Sequence, residues 1–162
     1  MPGGWLNVRV MLLGGGGVVC DPPPGRVFIV SPQDTFAHLA EAIDIAFARW
    51  DLSHAHMFEL ADGRMIASNT EDWAPEMTDE TTLTVASAVS QGDRFVYVFD
   101  LGDDWQHECD VVEDGIDPIE TYGEIPPSPV PIWGWGTIPD QYGRLTEDGG
   151  RVGDEGGQLE EP

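Results

Sequence analysis

Residues 95–107 read Phe-Val-Tyr-Val-Phe-Asp-Leu-Gly-Asp-Asp-Trp-Gln-His. Phe95, Tyr97 and Phe99 alternate with Val96 and Val98, the period of two that puts one face of a strand against a core. Leu101-Gly102-Asp103-Asp104 then turns the chain. Gly102 is expected to supply the unusual backbone angle, and the aspartates to cap turn amides. Trp105 to Glu113 reads as the returning strand. The stretch predicts an antiparallel hairpin.

Upstream, Arg64 to Ala67 and His56 to Leu60 flank Ala61-Asp62-Gly63, where Asp-Gly tolerates the positive φ of a tight hairpin. Between the two hairpins, Ser68 to Glu80 reads as irregular and acidic, and Thr82 to Val89 as a short helix. Farther upstream, Phe36, Leu39, Ala40, Ile43 and Phe47 recur at helical spacing, so an amphipathic helix with one core face is predicted. Asp34 or Thr35 would cap it. His38, Glu41 and Asp44 are expected to lie largely off the core face. At the start, Leu6, Val8, Val10 and Leu12 alternate along Trp5 to Leu13, a strand with one buried face. Gly14 to Gly17 and Asp21-Pro22-Pro23-Pro24-Gly25 make the long turn to a returning strand at Arg26 to Val30.

Downstream of Asp117 the style changes. Pro118, Pro126, Pro127, Pro129, Pro131 and Pro139 punctuate a segment holding Trp133 and Trp135. It predicts an irregular, extended piece lying on the core as a flap, since large aromatics are mostly buried. Residues 145–162 hold six acids, one Arg and five glycines. Such a tail cannot bury enough apolar area to offset its ordering entropy and is expected to be disordered. The domain is therefore placed at 1–144 and the acidic Gly-rich tail at 145–162.

The 162 residues include 7 basic side chains, all Arg, and 30 acidic ones, for a net charge of −23. Such a surface repels nucleic-acid phosphates and anionic membranes, so direct binding to either is not expected. No run approaches the roughly 18–20 apolar residues of a membrane helix. The N-terminus lacks the basic-then-apolar layout of a secretory signal, so the cytoplasm is the expected location. Cys20 and Cys109 are far apart and expected to be free thiols.

The 95–107 stretch resembles the YxYDFGDxWxH signature of the plasmid pRiA4b ORF-three-like family, also described as TnpR-like passenger proteins of an insertion element. Thr35-Phe-Ala-His-Leu39, Ala46-Phe47 and the Trp50–Phe58 run WDLSHAHMF are similar to that family's TLxxLHxxIQxAFGWxxxHLHxF. Ile138-Pro-Asp-Gln-Tyr-Gly143 sits where the family has PPEDxGG. Leu101 stands in place of the usual Phe, and His38 lies one residue ahead of the usual His. The resemblance implies an α+β roll: a curved, mostly antiparallel sheet packed on one main helix. It implies a binding or adaptor module linked to plasmid or mobile-element cargo, with a protein partner. It does not imply resolvase chemistry here. A serine recombinase needs an activated Ser amid an Arg cluster and a basic DNA-binding region.

The family-motif candidates for binding are His54, His56, Asp100, Gly102, Asp103, Asp104, Trp105 and His107. The acid-rich turn matches the kinase metal motif in letters only, since glycine-rich loop, paired Lys and HRD-type loop are all lacking. Its aspartates also miss the offsets of a calcium loop. His54 and His56 would share a strand face; with His107 and Asp103 or Asp100 they could form a His-rich divalent-metal site. No cofactor is expected otherwise. Cys109 alternates with His107, but a thiolate is disfavoured in an acidic field. Gly14 to Gly17 lacks the Lys and helix of a phosphate loop. Two further readings follow: a metal-dependent enzyme on the His/Asp set, and an acidic mimic of nucleic acid that inhibits a DNA-binding protein.

Overall fold

The computed structural model describes residues 4–49, 51, 55–68, 77–139 and 153–154. The family-like hairpin is its centre. Strand β7 (Arg94–Phe99) pairs antiparallel with β8 (Trp105–Ile116), with Tyr97 opposite His107 and Phe99 opposite Trp105. Strand β4 (His56–Leu60) lies on the other side of β7, so that Phe58 faces Tyr97 and His56 faces Phe99. Beyond it come β5 (Met65–Ala67) and the short parallel strand β6 (Thr78–Asp79). Past β8 lie β1 (Trp5–Gly15), β3 (Gly25–Val30) and β9 (Val130–Trp135), all antiparallel. A two-residue strand β2 (Val18–Val19) folds back on the end of β1. The path is β6-β5-β4-β7-β8-β1-β3-β9.

Helix α1 (Phe36–Ala46) covers one face of this sheet. Thr35 caps it: its hydroxyl accepts from the His38 amide, and its own amide donates to His38 Nδ1. Histidine thus takes the place Glu or Gln holds in the usual reciprocal cap. Phe36, Leu39, Ala40, Ile43 and Phe47 are fully or almost fully buried, and they meet the alternating residues Val8, Val10 and Leu12 of β1 and Phe95, Tyr97 and Phe99 of β7. A short helix, α2 (Val85–Ala88), falls inside the one expected at Thr82 to Val89. The α+β architecture is the expected one.

Four details differ from the sequence reading. Asp44 is buried, at 6% exposure. It sits four residues beyond Ala40 and eight beyond Phe36, on the stripe that faces the sheet. Strand β1 runs on to Gly15, two residues past the expected end, with a register shift between Leu12 and Gly14. Part of the Pro/Trp segment is regular. It contains a short helix, α3 (Pro118–Tyr122), capped by Asp117, and then β9, an edge strand where prolines cost least. The last difference is the turn angle. Asp100 and Asp104 carry the positive φ, at 60° each, and Gly102 does not.

Trp135 is half-buried against β3 and the loop before it instead of forming a flap over the core. Its ring lies against Gly25, where any Cβ would collide, and its indole N–H donates to the Pro23 carbonyl at 3.0 Å. Gly153–Asp154 forms a two-residue strand, β11, paired with β10 (Ile138–Pro139). The remainder of the 145–162 tail lies outside the described residues.

Candidate functional site

The family-like residues converge around Tyr97, because register and alternation force them onto the same sheet face. Phe58, Tyr97, His107 and Leu12 form one cross-strand row. His56, Phe99 and Trp105 form the next. The ring centroids of His56 and His107 are 5.7 Å and 5.3 Å from that of Tyr97. Helix α1 places Asp44 above this row, and the Tyr97 hydroxyl donates to Asp44 Oδ1 at 2.8 Å.

A second polar pair closes the cluster. His56 Nε2 is 2.6 Å from Glu80 Oε1. Glu80 arrives because the 80–85 loop is stitched to the start of α1: Ala37 N–H donates to the Glu80 carbonyl, Phe36 N–H to that of Leu83, and Val85 N–H to that of Asp34. Asp44, Tyr97 and Glu80 were not singled out from the sequence. The spacing of Phe36, Ala40 and Asp44 could have flagged Asp44 as a polar residue in an apolar stripe. Nothing local marks Glu80, which is brought in by a long-range loop contact.

Burial and charge set the proton affinities. Burial raises the Asp44 carboxyl from 3.8 to about 7, against the downward pull of the Tyr97 hydrogen bond and the charges of His56 and Arg49. Burial opposes charging of His56, but hydrogen bonding and attraction to Glu80 win and raise its pKa. The Tyr97 phenol is raised well above its ordinary value, chiefly by burial. His107 goes the other way. It is fully enclosed, and burial lowers it to about 3, so its ring is neutral. Its Nδ1 is 3.1 Å from the Tyr97 carbonyl, which requires the N–H there and leaves Nε2 as a bare acceptor. Nε2 is buried without a hydrogen-bond partner, as is the Trp105 indole N–H. The Arg49 guanidinium lies 4.3 Å from the Trp105 ring. Burial also raises both thiols, Cys109 far more than Cys20. Both cysteines are free, as expected.

The turn ahead of Trp105 is built by its first aspartate. Asp100 Oδ1 accepts from the amides of Gly102 and Asp103 at 3.1 and 3.2 Å, and its carbonyl accepts from the Asp104 amide. Asp103 and Asp104 then face a groove. Its other wall is the glycine-rich β1–β2 hairpin, tied to the turn by a hydrogen bond from Gly16 N–H to the Asp103 carbonyl at 2.7 Å.

Of the expected metal set, the described members His56, His107 and Asp103 do not gather into one group. Among the described residues no three His, Cys, Asp or Glu side chains come together as a metal-binding group. His56 is paired with Glu80, His107 is enclosed, and Asp103 belongs to the groove. His54 lies outside the described residues. Of the third block, only Ile138 and Pro139 are described: Ile138 is buried in the core, and the Pro139 carbonyl accepts from Arg49 at 2.9 Å. No described helix is long and apolar enough to cross a membrane.

A family model described as plasmid pRiA4b ORF-3-like protein matches residues 19–128, a span that contains both of the longer motif blocks. No curated protein matches the chain. Among solved structures, a protein of unknown function from Methanosarcina mazei Go1, MM3350, is similar with a TM-score of 0.67 and 18% sequence identity, over 93% of this chain and 76% of that one. That likeness is one of fold.

Proposed function

The chain belongs to the plasmid pRiA4b ORF-3-like protein family, and from that membership we propose that it is a non-catalytic binding module, an adaptor for a protein partner. One observation carries the reading. The signature residues split by direction: Trp105 and His107 point inward at 1% and 0% exposure and serve the core, while Asp103 and Asp104 line a surface groove. The buried half of the signature has no cleft-side nucleophile. His107 is neutral, the neighbouring Cys109 is held protonated, and Asp44 and Glu80 beside them are engaged by Tyr97 and His56. What faces solvent is a shaped, acidic surface on a chain of net charge −23. A cytoplasmic setting and a link to plasmid or mobile-element cargo are part of the same proposal, the plasmid link resting on the family's name.

The test has two arms on the full chain: elemental analysis of protein purified without chelator, beside a His56→Ala variant, and in-cell crosslinking with mass spectrometry. The reading expects metal far below one ion per chain and a reproducible crosslinked protein. Near-stoichiometric zinc, manganese or iron that vanishes in the variant would overturn it in favour of a metal-dependent enzyme. Absence of any specific crosslinked protein would also overturn it.

A further inference from the structure

The groove between the glycine hairpin and the Asp100–Asp104 turn has a volume of about 440 Å³. Its hairpin wall is backbone and aliphatic: Gly14, Gly15 and Gly17 with Leu13, Val18 and Val19. Val19 is 83% exposed, the most exposed of the molecule's large apolar side chains among the described residues, and Val18 and Leu13 are also open to water. The opposite wall is Asp103, Asp104 and Gln106. Gln106 donates to Asp104 Oδ2 at 2.8 Å, which leaves both carboxylates with charge uncompensated, for no basic side chain among the described residues lines the groove. Arginines elsewhere are used within the chain. Arg9 and Arg94 hold Asp110, Arg64 holds Asp62, and Arg26 holds the carbonyls of Gly25 and Trp135.

Apolar surface and uncompensated negative charge therefore sit on facing walls of one groove. The Gly16–Asp103 hydrogen bond fixes the two walls relative to one another, so an occupant finds the surface already formed. An anionic ligand is repelled. A purely apolar one leaves two carboxylates facing a desolvated neighbour.

Resting on the reading of this protein as a binding module, we propose that this groove takes a basic segment of a protein partner, with an aliphatic side chain seated on Leu13, Val18 and Val19 and an Arg or Lys facing Asp103 and Asp104. The charge drives approach and the aliphatic contact sets register. The affinity is salt-dependent, because Asp104 is exposed and Asp103 half-buried, and salt screens such charges over about 10 Å at 0.1 M.

The probe is a short fluorescent peptide alternating arginine with leucine, followed by anisotropy, beside an arginine–serine and a glutamate–leucine counterpart. Only the arginine–leucine peptide is expected to bind well, with the arginine–serine peptide weaker by about tenfold. Asp103→Asn with Asp104→Asn is expected to weaken it about tenfold as well. Asn tolerates the left-handed backbone at 104, so this variant keeps its fold. Val19→Ser, fully on the surface, gives an independent loss. Glu113→Gln with Asp114→Asn removes the same charge outside the groove and is expected to change affinity by less than about twofold. Equal loss in that control would mean that net charge alone attracts the peptide, and would overturn the proposal. So would unchanged binding in the groove variants, or no binding of any peptide. A crosslinked partner found on another face would sink the groove but leave the module reading standing.

Discussion

Replacing Asp44 with Asn is expected to remove a large buried contribution to the pH dependence of stability in this protein. The carboxyl is buried under α1, and its pKa rises from 3.8 unfolded to about 7 folded. Between those values the folded state holds a proton that the unfolded state has lost. Stability from this group is therefore present at low pH and disappears as pH climbs toward 7. The full effect is about 4 kcal/mol, since each tenfold change in proton affinity is worth about 1.4 kcal/mol. Over the accessible window from pH 5 to pH 8 it is about 3 kcal/mol, the lower part of the transition being cut off. His56 acts in the same direction, since its folded pKa is raised above 6.5 and the stability it adds is lost as pH rises through that folded value. The Asp44 charge supplies part of that rise, so the wild-type-minus-variant difference carries this coupling while the Glu80 contribution cancels. The asparagine of the Asp44→Asn protein still offers Tyr97 an acceptor but takes up no proton. Urea unfolding at intervals from pH 5 to pH 8 should show the variant gaining on wild type by about 3 kcal/mol across the window. Thermal midpoints should shift in parallel by about 2–4 °C per kcal/mol. A wild-type-minus-variant difference that is flat, or that grows with pH, would refute the argument, because it would mean that Asp44 is ionised in the core.

Three other outcomes follow from the same geometry. Gly15→Ala should cost about 1–3 kcal/mol in a thermal melt, because the added Cβ would stand 2.7 Å from Trp105 Cα, whereas Gly102→Ala should cost less than about 0.5 kcal/mol, its Cβ meeting only Asp100 Oδ1 at 3.4 Å. Asp100→Ala removes the acceptor for two turn amides and leaves a Cβ-bearing residue at φ 60° without local support, so it should destabilise by about 2 kcal/mol, with Asp100→Asn recovering most of it. His107 should keep the spectrum of a neutral ring in nuclear magnetic resonance titration down to about pH 3, or to acid unfolding if that comes first; a midpoint near 6.5 would show that the ring is hydrated.

The hairpin, the main helix and the first strand were legible from residues 5–113 because each buries one face, and a buried face writes its period into the sequence. The 95–99 alternation is seen directly in the burial of Phe95, Tyr97 and Phe99. The cap was legible to within two residues, Asp34 or Thr35, because capping is local, and the structure chose Thr35. Edge strand β9 was not, since proline content argues against pairing, and only the open side of β3 makes the pairing possible. The turn misled for a different reason. Glycine is the usual residue for a positive φ, but the Asp100 side chain binds the amides that follow it, so the aspartates hold the strained angles.

The site divides along the same line. Sequence alone determined the acidic character and the residues of the motif, because these are properties of composition and of spacing along the chain, and the resemblance those residues carry gave the family and, through it, the α+β class. The tertiary structure decided which motif residues point inward and what meets them there. It put Asp44 against Tyr97 and Glu80 against His56, enclosed His107 in the core, and kept the described members of the expected metal set, His56, His107 and Asp103, from gathering into one group. Those pairings join residues up to 53 positions apart. They depend on strand register and on how α1 lies across the sheet, and a pattern with a period of two or 3.6 carries no information about either.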